Sequence, residues 1–202
     1  MSRDKILAIL LKNQPEIVPL PAVPLFERDE KLDLVGKFKA MAEGIGSKVY
    51  IVNEFQEIQS LVTAAYPGEK RILSTVTELV SPAIPVFELN TDPHSYADVD
   101  VAIFKPLLAV AENSALWFTE EQLGIRVLPF ITQHIIVILD IATLVPDMHA
   151  AYQKIGSSDY GYGTFIAGPS KTADIEQSLV LGAHGPRSMT IYMYHSAALA
   201  QG

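Results

Sequence analysis

Residues 163–186 read GTFIAGPSKTADIEQSLVLGAHGP, and this pattern predicts a strand, a tight loop and a helix in succession. The apolar run at 164–167 is typical of a buried strand, and residues 173–179 have the pattern of a helix. Between them, Gly168 lets the chain turn sharply because glycine adopts backbone angles that other residues avoid, and Pro169 stiffens the turn. A strand followed so closely by a helix is the repeating unit of α/β folds.

The start of this helix is a candidate anion-binding site. Ser170 and Thr172 offer hydroxyl groups, Lys171 adds a positive charge, and the first N–H groups of a helix have no partner within it. Asp174 and Glu176 follow in the first turns, where they suit the helix dipole but weaken the field that an anion would feel. Two interpretations stay open: a pocket for a carboxylate or phosphate, or an ordinary capped helix whose polar groups satisfy each other.

The loop after the helix carries a second candidate. His184 lies between Gly182 and Gly185, and the loop is expected to return toward the helix start. A histidine there can hydrogen-bond a carboxylate or transfer a proton near neutral pH. The alternative is that His184 only holds the loop in place.

Apolar and amphipathic runs alternate along the rest of the chain. Strands are predicted at 48–52, 71–73, 85–89, 100–111, 115–118, 134–139, 164–167 and 189–194. Helices are predicted at 32–42, 54–65, 146–155 and 173–179. Pro146 is expected at the first position of its helix and Gly156 beyond its end. The alternation predicts an α/β domain of three layers with a mostly parallel central sheet, which includes residues 48–52, 134–139 and 164–167.

The N-terminal segment has a different character. A short helix is predicted up to Leu11, capped by Ser2 or Asp4. Regular structure is then interrupted by prolines at positions 15, 19, 21 and 24. We therefore expect residues 1–25 to form an N-terminal helix with a Pro-rich link, and residues 26–202 to form the main domain.

Composition excludes several classes of function. The chain has 15 Lys and Arg residues against 23 Asp and Glu residues, a formal net charge of −8, so nucleic acid is not an expected partner. It has no cysteine, which excludes thiolate zinc sites and thiolate-bound iron–sulfur clusters. Its five histidines are scattered without metal-ligand spacing, and no glycine motif for nucleotides is present. We expect no metal and no cofactor.

The same sequence predicts a cytoplasmic protein. No apolar run reaches the ~20 residues that a membrane span needs. The apolar stretch at 6–11 is too short for the core of a signal peptide.

The block at 168–186 resembles the signature of the LUD domain, as found in the lactate-utilisation protein C family. That signature reads roughly G-P-S-[RK]-T-A-D-I-E-x-x-L-V-x-G-x-H-G-P, and this chain follows it nearly without departure. A weaker resemblance lies at 111–116, where Glu112 and Asn113 fit the family pattern but Ser114 stands where glycine is usual. The resemblance covers roughly residues 30–194.

The resemblance implies a fold similar to the group of ribose-phosphate isomerase, glucosamine-phosphate deaminase and CoA-transferase. It also implies a function: a non-redox subunit or accessory protein in the oxidation of L-lactate to pyruvate. The implied partners are iron–sulfur proteins of the lactate-utilisation system, which agrees with the absence of cysteine from this chain.

Two further functions stay open. CoA transferases of the same fold group use a glutamate in a similar loop as nucleophile, so the chain is alternatively an enzyme acting on a small carboxylate or an acyl-CoA through Glu112. Asn113 would then be a donor to the oxyanion. The other possibility is a ligand-sensing or structural domain without chemistry, and homo-oligomerisation also stays open.

Overall fold

The structure is a computed structural model that describes residues 2–16, 18–19, 32–67, 71–82, 84–88, 92–171 and 182–196. The chain divides into two compact units, residues 1–31 and 32–202. In the first unit, helix α1 spans Arg3–Lys12 and has no buried side chain. The boundary predicted between residues 25 and 26 lies outside the described residues.

The second unit is built on a sheet of five parallel strands, in the spatial order β1, β9, β6, β3, β2. These strands are β1 Lys48–Ile51, β2 Ile72–Ser74, β3 Val101–Phe104, β6 His134–Asp140 and β9 Ser188–Tyr194. The two central strands, β6 and β9, are almost entirely buried. Parallel strands that are covered on both faces need continuous apolar sequences, and β6 has one from Ile135 to Leu139.

A second, mixed sheet of four strands lies in the order β7, β4, β5, β8. Its strands are β4 Leu108–Val110, β5 Leu116–Thr119, β7 Leu144–Val145 and β8 Gly163–Ile166. Strand β5 is antiparallel to both of its neighbours, so β4 and β8 run in the same direction. This sheet was not predicted from the sequence.

Helices cover the parallel sheet on both faces. Helix α2, Leu34–Gly44, packs Phe38 and Ala42 into a core that it shares with the four-stranded sheet. Helix α3, Phe55–Ala65, packs Ile58 and Val62 into a separate core on the opposite face. The shorter helices are α4 Glu120–Leu123, α5 Leu128–Ile131 and α6 Met148–Ile155. The predicted α/β class with a mostly parallel central sheet is therefore confirmed.

One prediction about the central sheet is wrong. The strand predicted at 164–167 forms as β8, but in the described part of the chain it lies at the edge of the four-stranded sheet and pairs with β5 alone. Its side chains are half-buried, unlike those of β6. An apolar run of four residues indicates a strand, but it contains no information about which neighbour that strand will choose.

Three other predicted elements differ in detail. The single strand expected at 100–111 is two strands in different sheets, because Pro106 between β3 and β4 lacks the N–H that a continuous strand would need. Of the strand expected at 85–89, the described residues 85–88 form an isolated bridge at Val86 rather than a strand. Pro146 precedes the N-cap of α6, Asp147, whereas Gly156 ends the helix as predicted, with φ 55°. The helix predicted at 173–179 lies outside the described residues.

The burial of β6 leads to a stability prediction with a matched control. Ile136 is fully buried in the central strand, and Ile51 is 55% exposed in the edge strand β1. Ile136→Ala should lower the free energy of unfolding by about 2–5 kcal/mol, because it removes buried methyl groups and leaves a cavity. Ile51→Ala should cost about 1 kcal/mol or less. Urea denaturation measures both, and equal losses would contradict the assignment of β6 as the core strand.

Candidate functional site

Two loops that the sequence singled out lie against each other. The Ser170 N–H donates to the Pro186 carbonyl at 2.9 Å, and the Gly182 N–H donates to the Ser170 carbonyl at 2.9 Å. We call residues 168–171 and 182–187 the paired loops. The predicted return of the second loop toward the first is therefore present in the backbone.

Gly168 is the residue that allows the first loop to approach the body of the domain. Its φ is +73°, and a Cβ at this position would lie 2.9 Å from Ile45 Cδ1 and 3.3 Å from the Ile45 carbonyl oxygen. A side chain here would be strained in the backbone and would also collide with the turn that precedes β1. Glycine thus serves both the turn and the close contact.

The paired loops lie at the amino edge of the parallel sheet. Arg187, which immediately precedes β9, donates its backbone N–H to the carbonyl of Gln133, which immediately precedes β6, at 2.8 Å. The contact of Gly168 with Ile45 places the first loop near the start of β1. In open α/β sheets the usual ligand site is at the carboxyl ends of the strands, so these loops occupy the opposite edge.

The candidate residues of the first motif fall into two groups. Gly168, Ser170, Lys171 and His184 belong to the paired loops, and the Lys171 and His184 side chains are exposed. The remaining candidates, Thr172, Asp174 and Glu176, lie outside the described residues. The proposed anion pocket therefore stays a prediction, with its two flanking loops described and its helix start not described.

The second motif forms the turn between β4 and β5. Asn113 Oδ1 accepts from the Ala115 N–H at 3.1 Å, and Ser114 adopts a φ of +56°. Ser114 therefore takes the left-handed conformation that glycine usually takes, although serine adopts it less readily. Its hydroxyl donates to the Asn113 carbonyl at 2.7 Å, which helps to hold this turn.

Glu112 has a described structural contact. Its Oε2 accepts from the Met148 N–H, the first N–H of helix α6, at 3.1 Å. A carboxylate at this position satisfies a free N–H group and interacts favourably with the helix dipole. The rest of the side chain is exposed.

Glu112 and Gly168 lie at the same end of the four-stranded sheet. Each follows the carboxyl end of a strand, β4 and β8 respectively, and these strands run in the same direction on either side of β5. Neighbouring strands are about 4.8 Å apart, so two strands separated by a third lie roughly 10 Å apart. The two residues therefore follow strands that end on the same side of the sheet, and a site shared by them stays a prediction.

A polar cluster at the carboxyl edge of the parallel sheet was missed by the sequence reasoning. Lys105 follows β3, while Asp140 and Tyr194 are the last residues of β6 and β9. Lys105 Nζ lies 3.9 Å from Glu78 Oε1 and 5.7 Å from the centre of the Tyr194 ring. The sequence did contain one indication of this cluster, because a charged residue directly follows each of two apolar runs: Lys105 follows β3 and Asp140 ends β6.

Lys105 and Asp140 each stabilise the charged form of the other. Burial alone would lower the pKa of Lys105, but the hydrogen bond to Tyr194 and the carboxylates of Glu78 and Asp140 raise it above its ordinary value. Burial would raise the pKa of Asp140, but hydrogen bonds from Ser196 and Ala142, together with Lys105, lower it. Lys105 and Asp140 are therefore charged at neutral pH and stabilise each other, which suits a structural role.

Two kinds of feature are absent from the part of the chain that the structure describes. No helix there is long and apolar enough to cross a membrane. Nor do these residues include a group of three or more His, Asp or Glu side chains that could hold a metal ion.

Comparison with known proteins places the chain among named relatives. The family model described as the LUD domain matches residues 93–194. Lactate utilization protein C of Geobacillus kaustophilus is 28% identical over 165 residues, covering 76% of this chain and 65% of that protein. Lactate utilization protein C of Bacillus pumilus is 36% identical over 83 residues, covering 38% of this chain and 35% of that protein. The chain thus aligns with less than two thirds of the length of either relative.

A solved structure supports the fold. The crystal structure of a DUF162 family protein from Deinococcus radiodurans superposes with a TM-score of 0.63 at 14% sequence identity. The match covers 80% of this chain and 96% of that one. At this identity the likeness concerns the α/β architecture alone.

The tight contact of Gly168 gives a prediction for the paired loops. Gly168→Ala should lower the free energy of unfolding by about 1–3 kcal/mol, because alanine is strained at a positive φ and its Cβ meets Ile45. Gly44→Ala is the control, since a Cβ at Gly44 meets no atom within 4 Å and Gly44 ends helix α2. That control should be neutral or stabilising by up to about 1 kcal/mol. Thermal melts of the two variants check the difference, and a Gly168→Ala variant as stable as Gly44→Ala would contradict the described loop.

Proposed function

This chain belongs to the LUD domain family, and we propose that it is a non-redox component of L-lactate utilisation that acts with iron–sulfur partner proteins. The observation that carries the proposal is its similarity to proteins named Lactate utilization protein C, at 28% and 36% identity. The family model covers the strands from β3 to β9 and both paired loops.

The sequence supports a division of labour with partners. Oxidation of L-lactate to pyruvate releases electrons that an acceptor must take up. Iron–sulfur clusters are held by cysteine thiolates, and this chain contains no cysteine. In this proposal the clusters belong to the partners, and this chain contributes binding or assembly.

The paired loops are the part of the chain that we propose to contact the carboxylate of the substrate. Their backbones are fixed by hydrogen bonds between Ser170 and residues 182 and 186, while the Lys171 and His184 side chains are exposed. An ammonium group and an imidazole on a rigid backbone are suitable donors to a carboxylate. Exposed side chains also contribute little to the stability of the fold, so their functional and structural effects can be separated.

The prediction for this function concerns growth. In a bacterial strain deleted for this gene, the wild-type gene should restore growth on L-lactate, whereas Lys171→Ala and His184→Ala should not. Lys37→Ala and His94→Ala are matched controls, because both side chains are exposed and neither lies in the paired loops. All four purified variants should melt within a few degrees of the wild type, as surface substitutions usually do.

The partner proposal is tested in the same strain. Tagged wild-type protein should co-purify with cysteine-rich iron–sulfur proteins during growth on L-lactate. Normal lactate growth of the deletion strain would contradict the function. Full complementation by Lys171→Ala and His184→Ala would contradict only the role of the loops.

A second candidate function is acyl transfer through Glu112. It is favoured by the position of Glu112 and Gly168 at the same end of the four-stranded sheet. In such a reaction the Glu112 carboxylate attacks the thioester carbonyl, forms a mixed anhydride and releases the thiol. The contact of its Oε2 with the start of α6 favours the alternative, a carboxylate that only stabilises a helix.

Substitution of Glu112 separates these roles. If the residue only stabilises α6, Glu112→Ala should lower the free energy of unfolding by about 1 kcal/mol and Glu112→Gln by less, and both variants should restore growth on L-lactate. The wild-type protein should then release no thiol from acetyl-CoA. Thiol release by the wild type that is lost in Glu112→Gln would favour the second candidate instead.

A further inference from the structure

A cavity of about 530 Å³ lies over the parallel sheet on the face that α3 covers. Its floor is formed by the first residues of three strands, which include Lys48 of β1, His134 of β6 and Ser188 of β9. Its wall is the end of α3, which includes Ala64, Ala65 and the following Tyr66. The short alanine side chains leave the space open above the strands.

The polar groups on the floor are held in fixed positions. His134 Nδ1 and Ser188 Oγ are 2.8 Å apart, and the Tyr66 hydroxyl lies 3.3 Å from Thr190 Oγ1. The rings of Tyr66 and His134 are in contact, with their centres 5.1 Å apart. Side chains that are positioned by one another lose little freedom when a ligand binds, and this favours binding.

Two aromatic side chains stack on each other at one end of the cavity. Tyr50 and Tyr192 stack with ring centres 5.6 Å apart and an angle of 24° between their planes. Tyr50 is 49% exposed and Tyr192 is buried, so the pair reaches from the core to the solvent. Burial raises the pKa of Tyr192 to about 12, with smaller contributions from Tyr66 and Tyr50, so its hydroxyl stays neutral. A planar ligand can reach the half-exposed Tyr50 ring and pack against it in the offset or edge-to-face arrangement that aromatic pairs prefer.

The charge of the lining favours an anion over a cation. Lys48 contributes an ammonium group, and the described residues around the cavity include no Asp or Glu. This is notable in a chain with a net charge of −8, where carboxylates outnumber cations overall. A cation beside hydroxyl and imidazole groups forms a favourable environment for a carboxylate or phosphate.

The size of the cavity points to a ligand larger than lactate. Its volume falls within the range of about 300–1,000 Å³ that is usual for small-molecule sites, and a three-carbon hydroxy acid would fill only a small part of it. We infer that the cavity binds a planar aromatic molecule that carries a carboxylate or phosphate, with its ring against Tyr50 and its anionic group toward Lys48. This site does not depend on the proposed role of the paired loops.

The test uses the full chain and ligands that separate the ring from the charge. Adenosine 5′-monophosphate and 2-naphthoate are the planar anions, adenosine and 2-naphthylmethanol are their neutral counterparts, and inorganic phosphate is the anion alone. By titration calorimetry at least one planar anion should bind about tenfold more tightly than its neutral counterpart, the gain expected for one charge-assisted hydrogen bond. Comparison of the two anions shows whether the cavity prefers the nucleoside phosphate or the aryl carboxylate. If neither anion binds, or if the counterpart or phosphate binds equally well, the inference is wrong.

Variants locate the binding. Lys48→Met should weaken binding of the anion about tenfold and leave the neutral ring unaffected, whereas Lys37→Met, on the surface of α2, should change neither. Ala65→Phe should fill the cavity and abolish binding. If this variant melts at a lower temperature than the wild type, Ala64→Phe replaces it in the same test. Full affinity in Lys48→Met, or in a folded phenylalanine variant, would contradict the inference.

Discussion

The parallel pairing of β6 with β9 is the interaction on which the rest of the structure depends. The strands run side by side from His134 opposite Ser188 to Asp140 opposite Tyr194. Because the pairing is parallel, both amino ends meet at one edge of the sheet and both carboxyl ends at the other. The first edge carries the paired loops and the cavity, and the second carries the cluster around Lys105. A register shift of one residue would move the side chains of β9 to the opposite face of the sheet. The features at both edges would then lose the β9 residues that contribute to them.

The extent to which the sequence predicted the fold follows from the kind of signal available. The strands β1, β6 and β9 could be predicted because each is mostly apolar with a clear end, and β6 is uninterrupted from Ile135 to Leu139. The sequence also predicted that β8 is a strand, but it did not predict that β5 is its partner. A run of four residues does not indicate which distant segment it will pair with. The four-stranded sheet was missed for the same reason, since its strands are short and come from four separate segments.

The candidate sites could also be predicted from the sequence only in part. The approach of the two loops could be predicted, because glycines and a proline at fixed positions dictate the turns. Their location at the amino edge could not, because it depends on where β8 lies. The cavity had no local signal at all, since Lys48, Tyr66, His134 and Thr190 are far apart in the chain. The family model begins at residue 93, so β1 and α3 lie outside it. The cavity is therefore lined partly by residues that the family model matches and partly by residues that it does not match.

The strand order also has a consequence for how the chain is assembled during synthesis. Among the described residues β1 pairs with β9 alone, so Lys48 has no native strand partner until Thr190 has been synthesised. At 5–20 residues per second this delay is on the order of ten seconds. During that time β1 has no native partner, and β6 lacks its partner β9 from its own synthesis until residue 188 is reached. Contacts between such distant segments form slowly. Nascent chains of this protein are therefore expected to be most exposed to aggregation, and most dependent on chaperones, until the last strand is complete.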